Sequence, residues 1–138
     1  MPSDRQISST MDRSSSQGDP SVRLRRLMSC FQNWSNDWGL SRLPRDVDVQ
    51  FSDNLGPVLG RCDTRSGKIW LNGVLLLAEN ESLLHETLCH EAAHIIAALR
   101  YGTGIEEHGI EWQEYMEKAG FIPRPVIGEG KIVGLNKG

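Results

Sequence analysis

A long helical stretch that carries two histidines four residues apart constrains the fold of this chain more than any other feature. The stretch runs from about Glu81 to Tyr101 and includes His90 and His94. Residues four apart lie on one face of a helix, so both imidazoles can reach the same cation. Glu91 lies beside this pair, where its carboxylate can take a proton from metal-activated water. The H-E-x-x-H pattern therefore predicts a metal site, with Zn²⁺ as the expected ion and Glu91 as general base.

A helical wheel divides this stretch into two faces. At about 100° per residue, five apolar side chains share one arc and should face the core: Leu84, Leu88, Ala92, Ile95 and Leu99. His90 and His94 lie roughly opposite, in a space that another element must close. Because the sequence is nearly apolar from Ala92 to Leu99, we expect the helix to be buried on more than one side. Gly102 is its predicted stop.

A third ligand decides which class of zinc hydrolase the pattern fits. The H-E-x-x-H-x-x-G-x-x-H pattern is excluded, because Ala97 and Arg100 occupy the matching positions. His108 is the favoured third ligand, since residues 101–104 contain two glycines and can reverse the chain toward the first pair. Three carboxylates are rival ligands, as in sites with two histidines and one glutamate: Glu106, Glu107 and Glu111.

Two further amphipathic helices are predicted outside this stretch. Residues 1–20 are polar and almost free of apolar side chains, so we expect them to be disordered. From Ser21, apolar residues recur at three- and four-residue steps, which predicts a helix that ends at Gly39. A last helix should begin near His108 and bury one face: Trp112, Tyr115, Met116 and Ala119. Residues 123–138 are rich in Gly and Pro and are expected to form an extended tail.

Three short strand-like segments lie between the first helix and the H-E-x-x-H helix. They comprise residues 46–52, 57–63 and 67–72, and turn signals separate them. An antiparallel meander is the economical arrangement. The predicted fold class is therefore α+β, with an N-terminal helix, a small three-stranded antiparallel sheet, the H-E-x-x-H helix and a C-terminal helix. All four tryptophans are expected in its core: Trp34, Trp38, Trp70 and Trp112.

Composition limits the classes of partner. The net charge of -3 gives no overall positive field, so any contact with DNA would have to be local. No segment approaches the roughly 20 apolar residues that span a bilayer, and residues 1–20 lack the apolar core of a secretory signal. We therefore expect an intracellular protein, cytoplasmic or nuclear, that is monomeric and has no membrane partner. Its three widely spaced cysteines are expected to be reduced.

Four segments together resemble the SprT-like zinc metallopeptidases, which include the Spartan-type proteases that degrade proteins crosslinked to DNA. The segments are LGRCD (59–63), GKIWLN (67–72), LLHETLCHEAAHIIAALRYG (83–102) and HGIEWQEYMEKAG (108–120). The resemblance implies a zincin-like domain over residues 21–122. It also implies zinc held by His90, His94 and His108, with Glu91 as the catalytic residue. A role in DNA repair is implied in the same way.

One departure from the family pattern concerns regulation. Many relatives carry a four-cysteine zinc ribbon or segments that bind DNA and partners after the protease domain, and neither is present in this sequence. Arg23, Arg25 and Arg26 could contact phosphates, although such a patch is more often a solvated helix face. DNA is therefore a weakly supported partner.

The sequence leads to one main hypothesis of function and one alternative. The main hypothesis is a zinc-dependent endopeptidase that acts on a protein or peptide substrate, with DNA-associated or crosslinked proteins as one substrate class. Strand 67–72 is the sheet edge expected to accept an extended substrate by strand pairing. The alternative is a non-catalytic, zinc-stabilised module that binds DNA or protein. Three side chains are candidates for stabilising an oxyanion, and the sequence does not choose among them: Arg100, Tyr101 and Tyr115.

Overall fold

Residues 19–127 fold into four helices around a small three-stranded sheet. The structure is a computed structural model that describes residues 19–127. The helices are α1 (Pro20–Asp37), α2 (Leu43–Asp46), α3 (Glu81–Tyr101) and α4 (Ile110–Lys118). The strands are β1 (Asp48–Ser52), β2 (Gly60–Asp63) and β3 (Lys68–Asn72), and two short 3-10 turns, Gly73–Leu76 and Ala78–Asn80, join β3 to α3. The predicted combination of helices with one small sheet is confirmed.

Local sequence explains where the helices begin and end. Asp19 caps α1, because its carboxylate accepts the backbone N–H of Ser21 at 3.0 Å. Helix α3 has the predicted limits, and Gly102 ends it with a φ of 86°, a backbone conformation that favours glycine. Helix α4 begins at Ile110, so His108 lies in the loop before the helix and not at its start.

The sheet is mixed, so the predicted antiparallel meander is wrong. The strand order is β1-β3-β2, with β1 parallel to β3 and β2 antiparallel to it. The turn at residues 64–67 returns the chain directly from β2 to β3, as predicted. Residues 53–59, by contrast, carry the chain from β1 past β3 to the opposite edge. Strand β3 takes the centre because Ile69 and Leu71 are fully buried, whereas the side chains of β1 and β2 are at most half-buried.

Helix α3 is the central element of the core. It contacts α1, α4, β2 and β3, and 11 of its residues are buried. This confirms the prediction that the helix is buried on more than one side. Leu99 is the exception to the predicted core face, since it is 70% exposed. The last turn of α3 extends beyond the elements that cover the rest of the helix, and Arg100 and Tyr101 are exposed there too.

Three of the four tryptophans are in the core. Trp34, Trp38 and Trp112 are buried, which confirms the prediction, while Trp70 on β3 is half-buried. The indole N–H of Trp38 donates to the backbone carbonyl of Tyr115 at 2.9 Å, so its polar group is satisfied inside the core.

The segment after α4 lies against the domain without forming a helix or a strand. It comprises residues 121–127, and Gly120, with a φ of 94°, turns the chain into it. The ring of Phe121 packs edge-on against Trp34, with 5.5 Å between ring centroids. Arg124 forms a two-bond ion pair with Glu86 on α3.

Parts of two predictions concern residues that the structure does not describe. Most of the predicted disordered segment, residues 1–18, lies outside the described residues, as does the part of the predicted tail from residue 128 onward. Between residues 19 and 127, none of the helices combines the length and the apolar character needed to cross a membrane.

Candidate metal centre

Three imidazoles converge at one side of α3. His90 and His94 come from successive turns of the helix, and His108 reaches them from the loop before α4. The potential ligand atoms of the three side chains all lie within 4.8 Å of one another. The Nε2 atoms of His90 and His108 are 3.3 Å apart. The structure thus brings together the three histidines that the sequence singled out, in a cluster that could hold a metal ion.

The rival carboxylates are not part of this cluster. Among residues 19–127, no other His, Cys, Asp or Glu side chain joins the three histidines as a potential ligand. Glu106, Glu107 and Glu111 therefore lie outside the group. The backbone of Glu107 is hydrogen bonded to His94, and a contact of this kind fixes the orientation of a ligating imidazole.

Trp112 holds the three imidazoles from the α4 side. Its ring stacks on His94 at an interplanar angle of 19°, and it meets His90 and His108 edge-on at centroid distances of 4.9 and 4.8 Å. Its indole N–H donates to the backbone carbonyl of His90 at 3.1 Å. Because Trp112 is fully buried, one rigid side chain restricts all three rings.

The surroundings of the imidazoles favour their neutral form. Burial lowers the pKa of His90 to about 3, and the nearby His94 and His108 lower it further. Burial, followed by the charge of His108, lowers the pKa of His94 to about 4. A histidine must be neutral to bind a metal ion. Both rings are therefore ready to act as ligands at neutral pH.

Glu91 lies beside the cluster on the flank of α3 that β2 covers. It is 8% exposed, and this burial raises the pKa of its carboxyl group to about 7. A hydrogen bond from the Cys62 thiol opposes that rise, and the charge of Glu107 adds to it. A carboxylate with a pKa near 7 is well matched to proton transfer at neutral pH.

The absence of a side chain at Gly60 brings β2 close to Glu91. A Cβ atom at this position would lie 2.6 Å from Cγ2 of Thr87 and 3.1 Å from Oε2 of Glu91. The first distance is shorter than van der Waals contact, so Gly60 is required for this close approach. Strand β2 can therefore cover Glu91 without displacing it.

Sequence reasoning missed the two β2 residues next to Glu91. The sequence predicts only that Cys62 is a reduced thiol, and no local signal points to its contact with Glu91. Gly60 did carry a signal, because an isolated glycine within a predicted strand often marks a close approach of the backbone.

The oxyanion candidates and the basic patch stay predictions. Tyr115 is buried and packs edge-on against Trp38, and the other two oxyanion candidates are exposed on the last turn of α3. Arg23 is buried and donates to the carbonyl of Leu76. Arg26 forms a two-bond ion pair with Glu81. Two of the three arginines in the expected patch are therefore engaged within the domain, and DNA contact stays untested.

Comparison with known families places this site in context. The model of the SprT-like family matches residues 27–128. This match covers most of the chain and includes the three histidines and Glu91. The chain belongs to the SprT-like family. The family resemblance noted from the sequence is thus confirmed.

The curated relatives of this SprT-like chain include bacterial proteins named Protein SprT. The protein from Shigella boydii is 37% identical over 68 residues, which are 49% of this chain and 41% of the relative. The protein from Pseudomonas putida is 29% identical over 104 residues, which are 75% of this chain and 62% of the relative. One from Escherichia coli is 35% identical over 68 residues, again 49% of this chain and 41% of the relative. The matched segments thus span less than two thirds of these relatives, and no solved structure matches the chain.

Proposed function

We propose that this SprT-like chain is a zinc-dependent endopeptidase with a zincin-like fold. In this proposal His90, His94 and His108 hold the zinc ion, and Glu91 is the general base. The observation that carries the proposal is the convergence of three imidazoles next to a buried carboxylate. Within residues 19–127 no fourth protein ligand joins the three. A catalytic zinc site typically has three protein ligands and keeps one position free for water or substrate.

The geometry and the donor set fit zinc. Imidazole nitrogens bind Zn²⁺ at about 2.0–2.1 Å in a tetrahedral arrangement, which separates two such nitrogens by roughly 3.3–3.4 Å. The Nε2 atoms of His90 and His108 are 3.3 Å apart. Three neutral imidazoles also match the preference of Zn²⁺ for nitrogen and sulfur ligands.

The residues around the site divide the chemistry of peptide hydrolysis among them. Zinc, when bound, lowers the pKa of water to about 7 and polarises the peptide carbonyl. Glu91 accepts the proton that the attacking water loses and passes it to the nitrogen of the leaving amine as the C–N bond breaks. Its pKa of about 7 suits both steps, because the group can gain and lose a proton near neutral pH. Trp112 keeps the three imidazoles in place while Glu91 transfers the proton.

The strand topology changes the expected route of the substrate. Strand β3 was expected to accept an extended substrate, but it is the central strand and has partners on both sides. Strand β2 is an edge strand, and it lies against Glu91 through Gly60. We therefore place strand pairing with the substrate at β2, because a peptide added to this edge would pass next to Glu91.

The decisive experiment compares the wild type with Glu91→Gln, both loaded with zinc. We expect the wild type to cleave denatured casein and the variant to lose at least about a hundredfold in rate, which is the lower end of general acid–base contributions. Both should contain one zinc per chain, as measured by mass spectrometry of the metal. Equal cleavage by the two proteins would contradict the role of Glu91.

A second measurement tests the ligands. His108→Ala should lose stoichiometric zinc, whereas Glu107→Ala, next to it in the chain, should retain it. Retention of full zinc by His108→Ala would exclude the proposed third ligand. A zinc-loaded wild type that leaves casein and DNA-crosslinked protein intact, with or without single-stranded DNA, would favour the alternative of a non-catalytic binding module.

A further inference from the structure

A cleft of about 300 Å³ opens directly beside Glu91. Its floor is formed by Thr87, His90 and Glu91 on α3. One wall is the chain that leads into β2, residues 57–60, and the opposite wall is residues 125–127 after α4. Because the floor contains both a proposed zinc ligand and the proposed base, the cleft begins where the peptide bond would be cleaved.

The walls of this cleft are apolar. Apart from Glu91 and His90 on the floor, no ionisable side chain lines it among the described residues. The lining side chains of the two walls are Pro57, Val58 and Leu59 on one side and Pro125, Val126 and Ile127 on the other. Leu59 is buried and Ile127 packs against the core, which fixes the depth of the cleft. Val58 and Val126 are 38% and 61% exposed and form its rim.

The second wall is attached to the domain on both sides of residue 122. Phe121 packs on Trp34, and Arg124 donates two hydrogen bonds to the Glu86 carboxylate, at 2.9 and 2.6 Å. Glu86 lies one helical turn before His90 on the same face of α3. The ion pair between Arg124 and Glu86 therefore holds residues 125–127 next to the floor of the cleft. Ile122, between the two attachments, is 80% exposed and does not line the cleft.

We infer that residues 57–59 and 125–127 form a selectivity pocket that takes an apolar side chain of the peptide substrate, adjacent to the bond that is cleaved. The inference rests on the proposed peptidase function. An apolar side chain would bury its surface between the two walls, whereas a carboxylate would be desolvated next to Glu91 without a partner. The walls therefore select the substrate, and Glu91 and the histidines perform the reaction.

The test uses seven-residue peptides of glycine and serine that carry either Leu or Asp at the centre. Cleavage by the zinc-loaded wild type is followed by chromatography. Binding to zinc-loaded Glu91→Gln is followed by calorimetry, which needs no turnover. We expect the Leu peptide to be favoured by about tenfold or more in both measurements, in line with discrimination by apolar pockets.

Substitutions at the rim show whether the preference comes from these walls. Val126→Asp, and independently Val58→Asp on the facing wall, should reduce the preference for Leu to about twofold or less, with zinc content unchanged. The matched control is Ile122→Asp, which adds the same charge to the same segment outside the cleft and should keep the full preference. Having two rim variants on separate walls keeps the test valid if one of them folds poorly.

The possible outcomes separate this inference from the proposed function. Equal binding of the Leu and Asp peptides, or a preference that survives in both rim variants, would overturn the selectivity pocket even if the wild type is an active peptidase. If the wild type cleaves neither peptide, but the Leu peptide still binds more tightly and this preference depends on the two walls, the proposed peptidase function would be wrong and the selectivity pocket would stand.

Discussion

The two flanks of α3 are built on different principles. On the histidine flank, a large aromatic side chain, Trp112, fills the space and contacts all three imidazoles. On the Glu91 flank, Gly60 has no side chain, so β2 packs closely against Glu91, and a cleft opens beside them. In the proposed function, the metal ligands need rigidity, whereas the base must exchange protons with a substrate that enters and leaves. Changes on the first flank should therefore affect metal binding, and changes on the second should affect catalysis.

The largest effect is expected from Trp112→Ala on the histidine flank. Loss of a fully buried tryptophan should lower the free energy of unfolding by about 3–5 kcal/mol, and zinc affinity should fall by about 10–100-fold because the rings lose their support. Trp34→Ala is the control, since Trp34 is buried but contacts none of the three histidines. Chemical denaturation and competition with a zinc chelator measure the two effects. Equal losses of zinc affinity in both variants would remove the distinction between the flanks.

A smaller effect is expected from Glu91→Gln in the metal-free protein. Burial raises the pKa of Glu91 from 4.5 to about 7 in the folded state, so its contribution to stability is fully present below 4.5 and is lost as the pH rises through 7. Because each pKa unit corresponds to about 1.4 kcal/mol, the variant should be more stable than the wild type by about 3 kcal/mol at pH 8 and equal to it at pH 4. Urea unfolding in the presence of a chelator measures the difference.

The histidine flank should show the opposite pH dependence in the same titration. The pKa values of His90 and His94 are lowered from 6.5 to about 3 and about 4. The contribution of these two histidines to the free energy of unfolding is therefore present above pH 6.5 and is lost as the pH falls toward 4.

The control for Glu91→Gln is Glu114→Gln, which removes an exposed carboxylate on α4 and should change stability by less than about 0.5 kcal/mol. The free energy of unfolding of the wild type should fall relative to that of Glu91→Gln between pH 5 and pH 8. If it does not, Glu91 is not a buried ionisable group.

The smallest effect on stability is expected from Gly60→Ala on the Glu91 flank. The added methyl group would meet Thr87 and Glu91, which should cost about 1–3 kcal/mol of stability. Because Glu91 must move, the rate of peptide cleavage should fall by more than tenfold while zinc remains bound. Gly104→Ala is the matched control, since a Cβ there would meet no atom within 4 Å. If Gly60→Ala cleaves casein at the wild-type rate, the close approach of β2 does not position Glu91.

What the sequence predicted well was local. The limits of α3 and the pairing of His90 with His94 follow from helical periodicity and from a glycine stop, and both depend on residues within a few turns of one another. Even the approach of His108 to this pair could be predicted, because only a short glycine-containing loop separates it from them.

What the sequence did not predict depends on contacts between distant segments. Alternating polar and apolar residues identify β1 as a strand, but they do not state its neighbour or its direction, so its parallel pairing with β3 was missed. The hydrogen bond between Cys62 and Glu91 depends on how β2 crosses α3. Likewise, nothing in the composition of residues 125–127 indicates that they line a cleft, because the ion pair between Arg124 and Glu86 spans 38 positions of the chain.

The packing of Trp112 on the histidines also gives the site a built-in optical reporter. An excited indole loses its emission when a paramagnetic ion such as Co²⁺ or Cu²⁺ binds within a few ångströms. The ring centroid of Trp112 lies 4.8 to 5.5 Å from those of all three imidazoles. The fluorescence of Trp112 should therefore be quenched as such an ion fills the site. Metal exchange could then be followed in real time through intrinsic fluorescence, without a label on the protein.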